Sequence, residues 1–252
     1  MVSGASVPAS EEDSMRLSMV RSYGTSARAV KGNTTNFPHI IVLILAFLMT
    51  GQALAQTPTA VPAKPIRIVA FGDSLTAGLG LPASHSFPAR LQKALEANGI
   101  KVDMVNAGVS GDTTSGGRER LDWSIPEGTD AVILELGAND AMRGTDPDVT
   151  RAALSDILTR LKARKIAVLL CGMLAPPNYG AEYAARFNAI YPELAKKFDV
   201  PLYAFFLEGV AAERKLNQAD GIHPTAEGVD LIVQKMLPTV QAFLGAIAGQ
   251  RS

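Results

Sequence analysis

From Pro65 onward, short runs of consecutive apolar residues alternate with longer stretches whose apolar residues recur every three or four positions. A short run that is apolar throughout is typical of a strand buried on both faces of a parallel sheet. The chain contains five runs that are wholly or mostly apolar: Ile66–Phe71, Val102–Val105, Ala131–Leu136, Ile166–Cys171 and Pro201–Phe205. We therefore predict a parallel sheet of about five strands.

Between these runs the apolar spacing predicts amphipathic helices. The predicted helices are Ser86–Asn98, Asp146–Arg164, Ala181–Phe198 and Pro224–Ala248. Because alternating strands and helices form right-handed crossovers, we expect an α/β fold, with one three-layer α/β/α domain over residues 65–248. Such domains bind their ligands at the carboxyl ends of the strands, so the polar motifs of interest are those that follow a strand.

The first quarter of the chain has a different pattern. Ten consecutive apolar residues, Ile40–Met49, follow a stretch with four basic residues and precede the small residues of Ala53-Leu54-Ala55. This pattern predicts a secretory signal peptide with a long leader over residues 1–55, cleaved after Ala55. The alternative is an uncleaved membrane anchor, but ten residues make only about 15 Å of helix, whereas a bilayer needs roughly 20 residues. We expect a periplasmic protein without a stable membrane anchor, whose residues 56–64 form a linker.

Composition narrows the class of partner. The chain has 24 basic and 24 acidic residues, so its charge gives no reason to expect nucleic acid or an anionic surface as a partner. Its single cysteine, Cys171, lies in an apolar run, where we expect a core residue and no disulfide. No Cys or His pair has ligand spacing, so we predict no metal site. The oligomeric state and the true first residue (Met1, Met15 or Met19) stay open.

A serine directly follows the first predicted strand. Ser74 stands in Phe71–Gly78, where Gly72 permits a tight turn. If Ser74 begins a helix, its own N–H is unpaired and faces the ligand-binding edge of the sheet. The alternatives are a helix-capping serine, which is common at such turns, and a phosphate-binding loop, whose glycine spacing is absent here. Ser74 is the candidate nucleophile.

Near the other end of the domain stands Asp220-Gly221-Ile222-His223-Pro224. A single turn can bring the Asp220 carboxylate to Nδ1 of His223 and leave Nε2 facing Ser74, which is the arrangement of a base and its orienting acid. The alternative is a surface turn with a capping aspartate. Another histidine, His85, has no carboxylate within five residues and is expected to be a loop residue.

Two further strand ends carry possible hydrogen-bond donors for an oxyanion. Gly111 lies in Asn106–Thr114, where a glycine allows a backbone N–H to point at a ligand atom. Asn139 follows the most apolar strand, and its side-chain amide can donate to developing negative charge. The alternatives, a plain turn glycine and an Asx turn, account for each residue alone.

Together these segments resemble the GDSL, or SGNH, hydrolases, most closely the bacterial periplasmic esterases of the thioesterase I/lysophospholipase L1 and arylesterase type. The matching blocks, within a resemblance over about Pro65 to Gln241, are Gly72-Asp73-Ser74-Leu75, Ser110-Gly111-Asp112-Thr113, Gly137-Ala138-Asn139-Asp140 and Asp220–Pro224. The resemblance implies a flavodoxin-like SGNH hydrolase fold, a catalytic set of Ser74, Asp220 and His223, and an oxyanion hole formed by Ser74, Gly111 and Asn139. It also implies catalysis without a cofactor.

We therefore expect a serine esterase that hydrolyses aryl or alkyl esters through an acyl-enzyme, with acyl thioesters and lysophospholipids as further candidate substrates. The expected partner is a small-molecule ester or thioester. Loops 140–145 and 174–183 are expected to border the acyl site, where Met142, Leu174 and Tyr179 supply apolar surface. One alternative is a carbohydrate O-acetyl esterase on the same fold. The other is a non-catalytic binding module, which should lack one of the four blocks.

Overall fold

The structure, a computed structural model, describes the backbone of residues 64–251 and the side chains of residues 64–249. The predicted signal peptide and all but the last residue of the predicted linker lie outside the described residues. The strands are β1 (Ile66–Gly72), β2 (Val102–Gly108), β3 (Ala131–Glu135), β4 (Ala167–Cys171) and β5 (Leu202–Tyr203). All pairings are parallel and the strand order is β2-β1-β3-β4-β5, which confirms the predicted five-stranded parallel sheet.

Helices cover both faces of the sheet and complete the predicted three layers. The helices are α1 (Ser74–Ala77), α2 (Phe87–Ala97), α3 (Thr114–Ser124), α4 (Ala138–Met142), α5 (Pro147–Ala163), α6 (Gly180–Asn188), α7 (Ile190–Phe198) and α8 (Ala226–Arg251). On one side α2 packs against α8, and elsewhere α5 packs against both α3 and α7. The central strands carry the core: every residue of β3 is buried, and so are Cys171 and most of β1.

The structure differs from the sequence prediction in four elements, one of which is the short helix α4, absent from the prediction. The predicted helix Ala181–Phe198 is two helices, because Pro192 has no N–H to donate to the carbonyl of Asn188 and the chain bends at Ala189. Helix α3 was not predicted, since Gly116 and Gly117 weaken a helical pattern that has few apolar residues. Strand β5 is only two residues long, because only those two pair with β4.

Within the described residues, α8 alone is long and apolar enough to cross a membrane by length and composition. Its side chains Val229, Ile232, Met236 and Val240 are buried in the domain. The helix therefore packs as the closing element of the α/β/α sandwich.

The strand order places a topological switch point between β1 and β3. The chain leaves β1 toward β2 on one side and returns to β3 on the other side, so the loops after these two strands separate. In parallel α/β sheets the crevice formed at such a point is the usual ligand site. Ser74 follows β1 and Asn139 follows β3, so the fold brings both to this crevice.

Candidate active site

Ser74 is the first residue of α1 and is mostly buried. Asp73 caps this helix, because its Oδ1 accepts a hydrogen bond from the N–H of Leu75 at 2.9 Å. A side chain at Gly72 would collide with Thr76 and Glu135, which explains the glycine of this motif. In the part of the chain that the structure describes, the N–H of Ser74 has no acceptor and is available to a ligand.

A continuous hydrogen-bonded chain links Ser74 to His223 and Asp220. Nε2 of His223 lies 2.9 Å from Oγ of Ser74, and Nδ1 lies 2.6 Å from Oδ2 of Asp220. Oδ1 of Asp220 also accepts from the backbone N–H groups of Ile222 and His223, at 2.9 and 3.0 Å. Hydrogen bonds from the His223 side chain, then from these backbone groups, lower the pKa of Asp220 to about 2. The carboxylate therefore stays ionised and fixes the ring so that Nε2 faces Ser74.

The other histidine in the described domain stands apart from this chain. His85 ends a short 3-10 helix, Ala83–His85. As the sequence predicts, it lies in a connecting segment.

Gly111 follows β2 and has a left-handed backbone, with φ of +82°. Its carbonyl accepts a hydrogen bond from Nη2 of Arg143 at 2.9 Å. Among the described residues, no atom accepts a hydrogen bond from the Gly111 N–H. The positive φ favours glycine here, and the free donor can bind an anionic ligand atom.

Asn139 lies in α4, and both N–H bonds of its amide are used. Nδ2 donates to Oδ2 of Asp73 at 3.0 Å and to the carbonyl of Asp112 at 2.9 Å. The amide therefore joins the loop after β1 to the loop after β2. Its neighbour Asp140 is fully buried and accepts from the Thr114 backbone and hydroxyl and from the Thr150 hydroxyl, which anchors α4 to α3 and α5.

Two buried carboxyl groups beneath Ser74 were not identified from the sequence as site residues. Glu135, at the end of β3, is inaccessible to solvent; its Oε2 accepts from Oγ1 of Thr76 at 2.6 Å and from the Asp73 N–H at 3.3 Å. Burial, and then the charge of Asp73, raise the pKa of Glu135 well above its usual value. Burial also raises the pKa of Asp73 to about 6, against the opposing effect of its hydrogen bonds from Leu75 and Asn139. The surroundings of Glu135, beside the nucleophile loop, therefore favour its protonated form.

An apolar cavity of about 450 Å³ opens beside Ser74. Met142 and Leu174, predicted for this role, line it together with Met173, Phe205 and Leu207. Tyr179 does not line it, and this part of the prediction is wrong. The Tyr179 hydroxyl instead donates to the Met142 carbonyl at 2.7 Å, so its ring packs behind the loop that borders the cavity.

A larger groove of about 710 Å³ lies at the opposite end of the sheet, near the start of β4. Its lining includes Phe198, Phe243 and Ile247 and none of the predicted site residues. Size alone therefore does not identify the site, because the smaller cavity is the one that adjoins the Ser74–His223–Asp220 chain.

The chain is similar in sequence to known proteins. A family model described as "GDSL-like Lipase/Acylhydrolase family" matches residues 70–231, more than half of the chain. Over 198 residues the chain is 38% identical to Esterase TesA of Pseudomonas aeruginosa, covering 78% of this chain and 94% of that protein. It is also 38% identical over 207 residues to Thioesterase 1/protease 1/lysophospholipase L1 of Escherichia coli K12, covering 82% of this chain and 93% of that protein.

A solved structure shares the fold as well. The crystal structure of AlinE4, a SGNH-hydrolase family esterase, is 46% identical in sequence and superposes with a TM-score of 0.62, covering 72% of this chain and 98% of that one. This similarity confirms the predicted fold, and the sequence matches confirm the predicted relationship. The chain belongs to the GDSL-like lipase/acylhydrolase family.

Proposed function

We propose that this protein is a serine esterase that hydrolyses carboxylic esters through an acyl-enzyme intermediate on Ser74. The observation that carries the proposal is the hydrogen-bonded chain from Asp220 through His223 to Ser74, with distances of 2.6 and 2.9 Å. It ends at the mouth of an apolar cavity that can hold the acyl or aryl part of an ester. Nucleophile, base and orienting acid within hydrogen-bond reach are the arrangement that acyl transfer needs.

In the acylation step, Oγ of Ser74 attacks the acyl carbon while Nε2 of His223 accepts the hydroxyl proton. The tetrahedral intermediate then collapses, the bond from the acyl carbon to the leaving oxygen breaks, and His223 returns the proton to the departing alcohol. Asp220 keeps the other ring nitrogen protonated and stabilises the imidazolium that forms in between. The low pKa of Asp220 supports this role, because the carboxylate keeps its charge throughout.

The negative charge of the intermediate requires donors, and we assign this role to three groups. The N–H groups of Ser74 and Gly111 have no acceptor among the described residues. The amide of Asn139 already donates to Asp73 and to the Asp112 carbonyl, so it must share or exchange one of these bonds. The neutral Asp112 carbonyl is the weaker acceptor, and we expect the oxyanion to replace it while the bond to the Asp73 carboxylate holds the amide in place.

Deacylation repeats the sequence with water as the nucleophile. Nε2 of His223 takes a proton from the water as its oxygen attacks the acyl carbon, and then gives the proton to Oγ of Ser74 as the acyl–oxygen bond breaks. The carboxylic acid leaves and the resting enzyme is restored. Every proton and leaving group is handled by residues of this chain, so the proposed reaction needs no cofactor.

We propose aryl and alkyl esters as the substrate class, and acyl thioesters and lysophospholipids as further candidates. The apolar lining of Met142, Met173, Leu174 and Phe205 supports an apolar acyl or aryl group. A carbohydrate O-acetyl esterase, the first alternative, needs polar groups to bind the sugar. A binding module without activity, the second, is disfavoured because all four sequence blocks are present.

A hydrolysis panel tests the proposal. Phenyl and p-nitrophenyl esters of increasing acyl length, an acyl-CoA, a lysophospholipid and an acetylated xylan are compared, with Ser74→Ala as the control. We expect turnover of the apolar esters that disappears in Ser74→Ala. Activity confined to the acetylated xylan would favour the O-acetyl esterase, and no activity of the wild type on any substrate would favour the binding module.

We also propose that the enzyme acts in the periplasm. The support is the apolar segment Ile40–Met49 with its preceding basic residues and following Ala53-Leu54-Ala55.

A further inference from the structure

A buried guanidinium lies directly beneath the segments that carry the proposed oxyanion donors. Arg120 projects from α3 and is only 6% exposed. Its Nη2 donates to the Gly72 carbonyl at 2.8 Å and its Nη1 to the Ala107 carbonyl at 2.9 Å, so it binds the ends of both β1 and β2. Its Nε donates to Oδ2 of Asp112 at 2.6 Å. One side chain therefore joins two strand ends and the loop between β2 and α3.

Two of these three contacts are within two residues of a proposed donor. Gly72 precedes Ser74 by two residues, and Asp112 directly follows Gly111. The Asp112 carbonyl is also the acceptor of the Asn139 amide. The Arg120 guanidinium thus contacts the segments of Ser74 and Gly111 directly, and that of Asn139 only through Asp112.

The chemistry of the site requires arginine rather than any cation. The planar guanidinium presents donors in fixed directions, and here three of its nitrogens reach three different acceptors. Its central carbon lies 4.0 Å from the centroid of the Phe71 ring, so its plane packs on a β1 side chain. A lysine ammonium keeps the positive charge but has a single nitrogen, which cannot bind both strand ends and Asp112 in the same geometry.

We propose that Arg120 is a positioning residue for the oxyanion hole, an inference that rests on the function proposed above. It fixes the Gly72 carbonyl and the Asp112 side chain so that the N–H groups of Ser74 and Gly111 point at one place before substrate arrives. Donors fixed in advance stabilise charge that develops in the transition state without reorganising during the reaction. The consequence is a contribution to kcat with little contribution to substrate binding.

The substitution Arg120→Lys tests this role, because it keeps the charge and most of the volume. Misplacement of reacting or stabilising groups by about 1 Å can cost on the order of 10²-fold in rate. We therefore expect kcat to fall by about 10²-fold and KM to change by less than about three-fold. The affinity for an alkyl or aryl boronic acid, which forms a tetrahedral adduct on a serine, should fall by a similar factor as kcat. The affinity for an uncharged ester analogue should not.

Arg160→Lys is the matched control. Like Arg120, Arg160 pairs with an aspartate, Asp122, and donates to a backbone carbonyl, that of Arg118, at 2.8 Å. It lies on α5 and contacts none of the oxyanion segments. We expect Arg160→Lys to lower the melting temperature to some degree while kcat and boronic acid affinity keep their wild-type values.

The inference is overturned if Arg120→Lys lowers only the melting temperature and keeps wild-type kcat and boronic acid affinity below that temperature. If Arg120→Lys does not fold, Asp112→Asn is used, which removes the charged partner but leaves both strand-end bonds. It should lower kcat and boronic acid affinity together, and unchanged values would equally overturn the inference. A wild-type protein that hydrolyses esters while the variants do so equally well refutes only the role of Arg120. No hydrolysis by the wild type refutes the proposed function and this inference together.

Discussion

The substitution Asn139→Ala tests whether Asn139 donates a hydrogen bond in the transition state or only shapes a turn. The Asn139 amide bridges Asp73 and the Asp112 carbonyl in the resting structure, and in the proposed reaction it donates to the oxyanion. The substrate carbonyl is neutral and carries full negative charge only in the tetrahedral state. Loss of this donor should therefore lower kcat and leave KM nearly unchanged.

The expected losses in kcat and in stability follow from the hydrogen bonds that the substitution removes. Removing one donor from an oxyanion hole typically costs ~3 kcal/mol of transition-state stabilisation, or on the order of 10²-fold in kcat. The substitution also leaves the buried Oδ2 of Asp73 without its side-chain donor. We expect this loss to lower the free energy of unfolding by about 1–3 kcal/mol. The Asn139 hydrogen bond lowers the pKa of Asp73, so its loss raises that pKa further. The variant's stability loss should consequently be smaller at acid pH, where Asp73 takes up a proton.

The assay measures kcat, KM and the melting temperature on one preparation, with kcat taken well below the melting temperature. Asn98→Ala is the control, since Asn98 also donates its amide to a carbonyl, that of Ala94, but at the exposed end of α2. We expect Asn98→Ala to keep the wild-type kcat. An Asn139→Ala enzyme that melts earlier but whose folded fraction turns over within about three-fold of wild type would remove Asn139 from the oxyanion hole.

Three further predictions concern the pH dependence of stability, the catalytic histidine and the removal of the signal peptide. Burial raises the pKa of Glu135, so the folded protein keeps a proton that the unfolded chain releases above about pH 4.5. The free energy of unfolding should therefore fall as the pH rises above that value, by up to ~1.4 kcal/mol per pH unit, and Glu135→Gln should reduce this slope in melting temperatures measured against pH. An equal slope in both proteins would show that Glu135 ionises freely. His223→Ala should abolish turnover and His85→Ala should not, since only His223 contacts Ser74; the reverse result in steady-state assays would mean that the triad is wrongly drawn. The intact mass of periplasmic protein should correspond to a chain that starts at Gln56, whereas a full-length species retained in the membrane would favour an uncleaved anchor.

The fold was predictable because its strands are short and mostly apolar. Runs such as Ala131–Leu136 have a single polar position, Glu135, and such nearly continuous apolar runs are typical of the buried strands of a parallel sheet. Helix α3 escaped prediction because its stability does not come from an apolar stripe. Its start is fixed by the Thr113 hydroxyl, which accepts from the Gly116 N–H at 3.2 Å, and its inner face carries the charged Arg120.

The residues of the candidate site likewise fall into those that the sequence predicts and those that it does not. Ser74, Asp220 and His223 could be found because each stands in a short motif next to a strand end or turn, and the structure brings all three together. Glu135 and Arg120 could not, because their burial depends on partners 59 and 48 residues away, Thr76 and Gly72 respectively. Arg120 lies on the same helical face as the buried Gly117, but this relation becomes visible only once α3 is known to be a helix.

Covalent capture of the nucleophile is the most direct measurement of the proposed mechanism. A fluorophosphonate loses fluoride as a serine oxygen bonds to phosphorus, and the adduct resembles the tetrahedral intermediate. The mature protein should take up one equivalent of probe, lose ester hydrolysis in proportion, and show the adduct at Ser74 on peptide mapping, while Ser74→Ala should not react. An adduct on another residue, or active protein that the probe does not label, would contradict the assignment of Ser74 as the nucleophile.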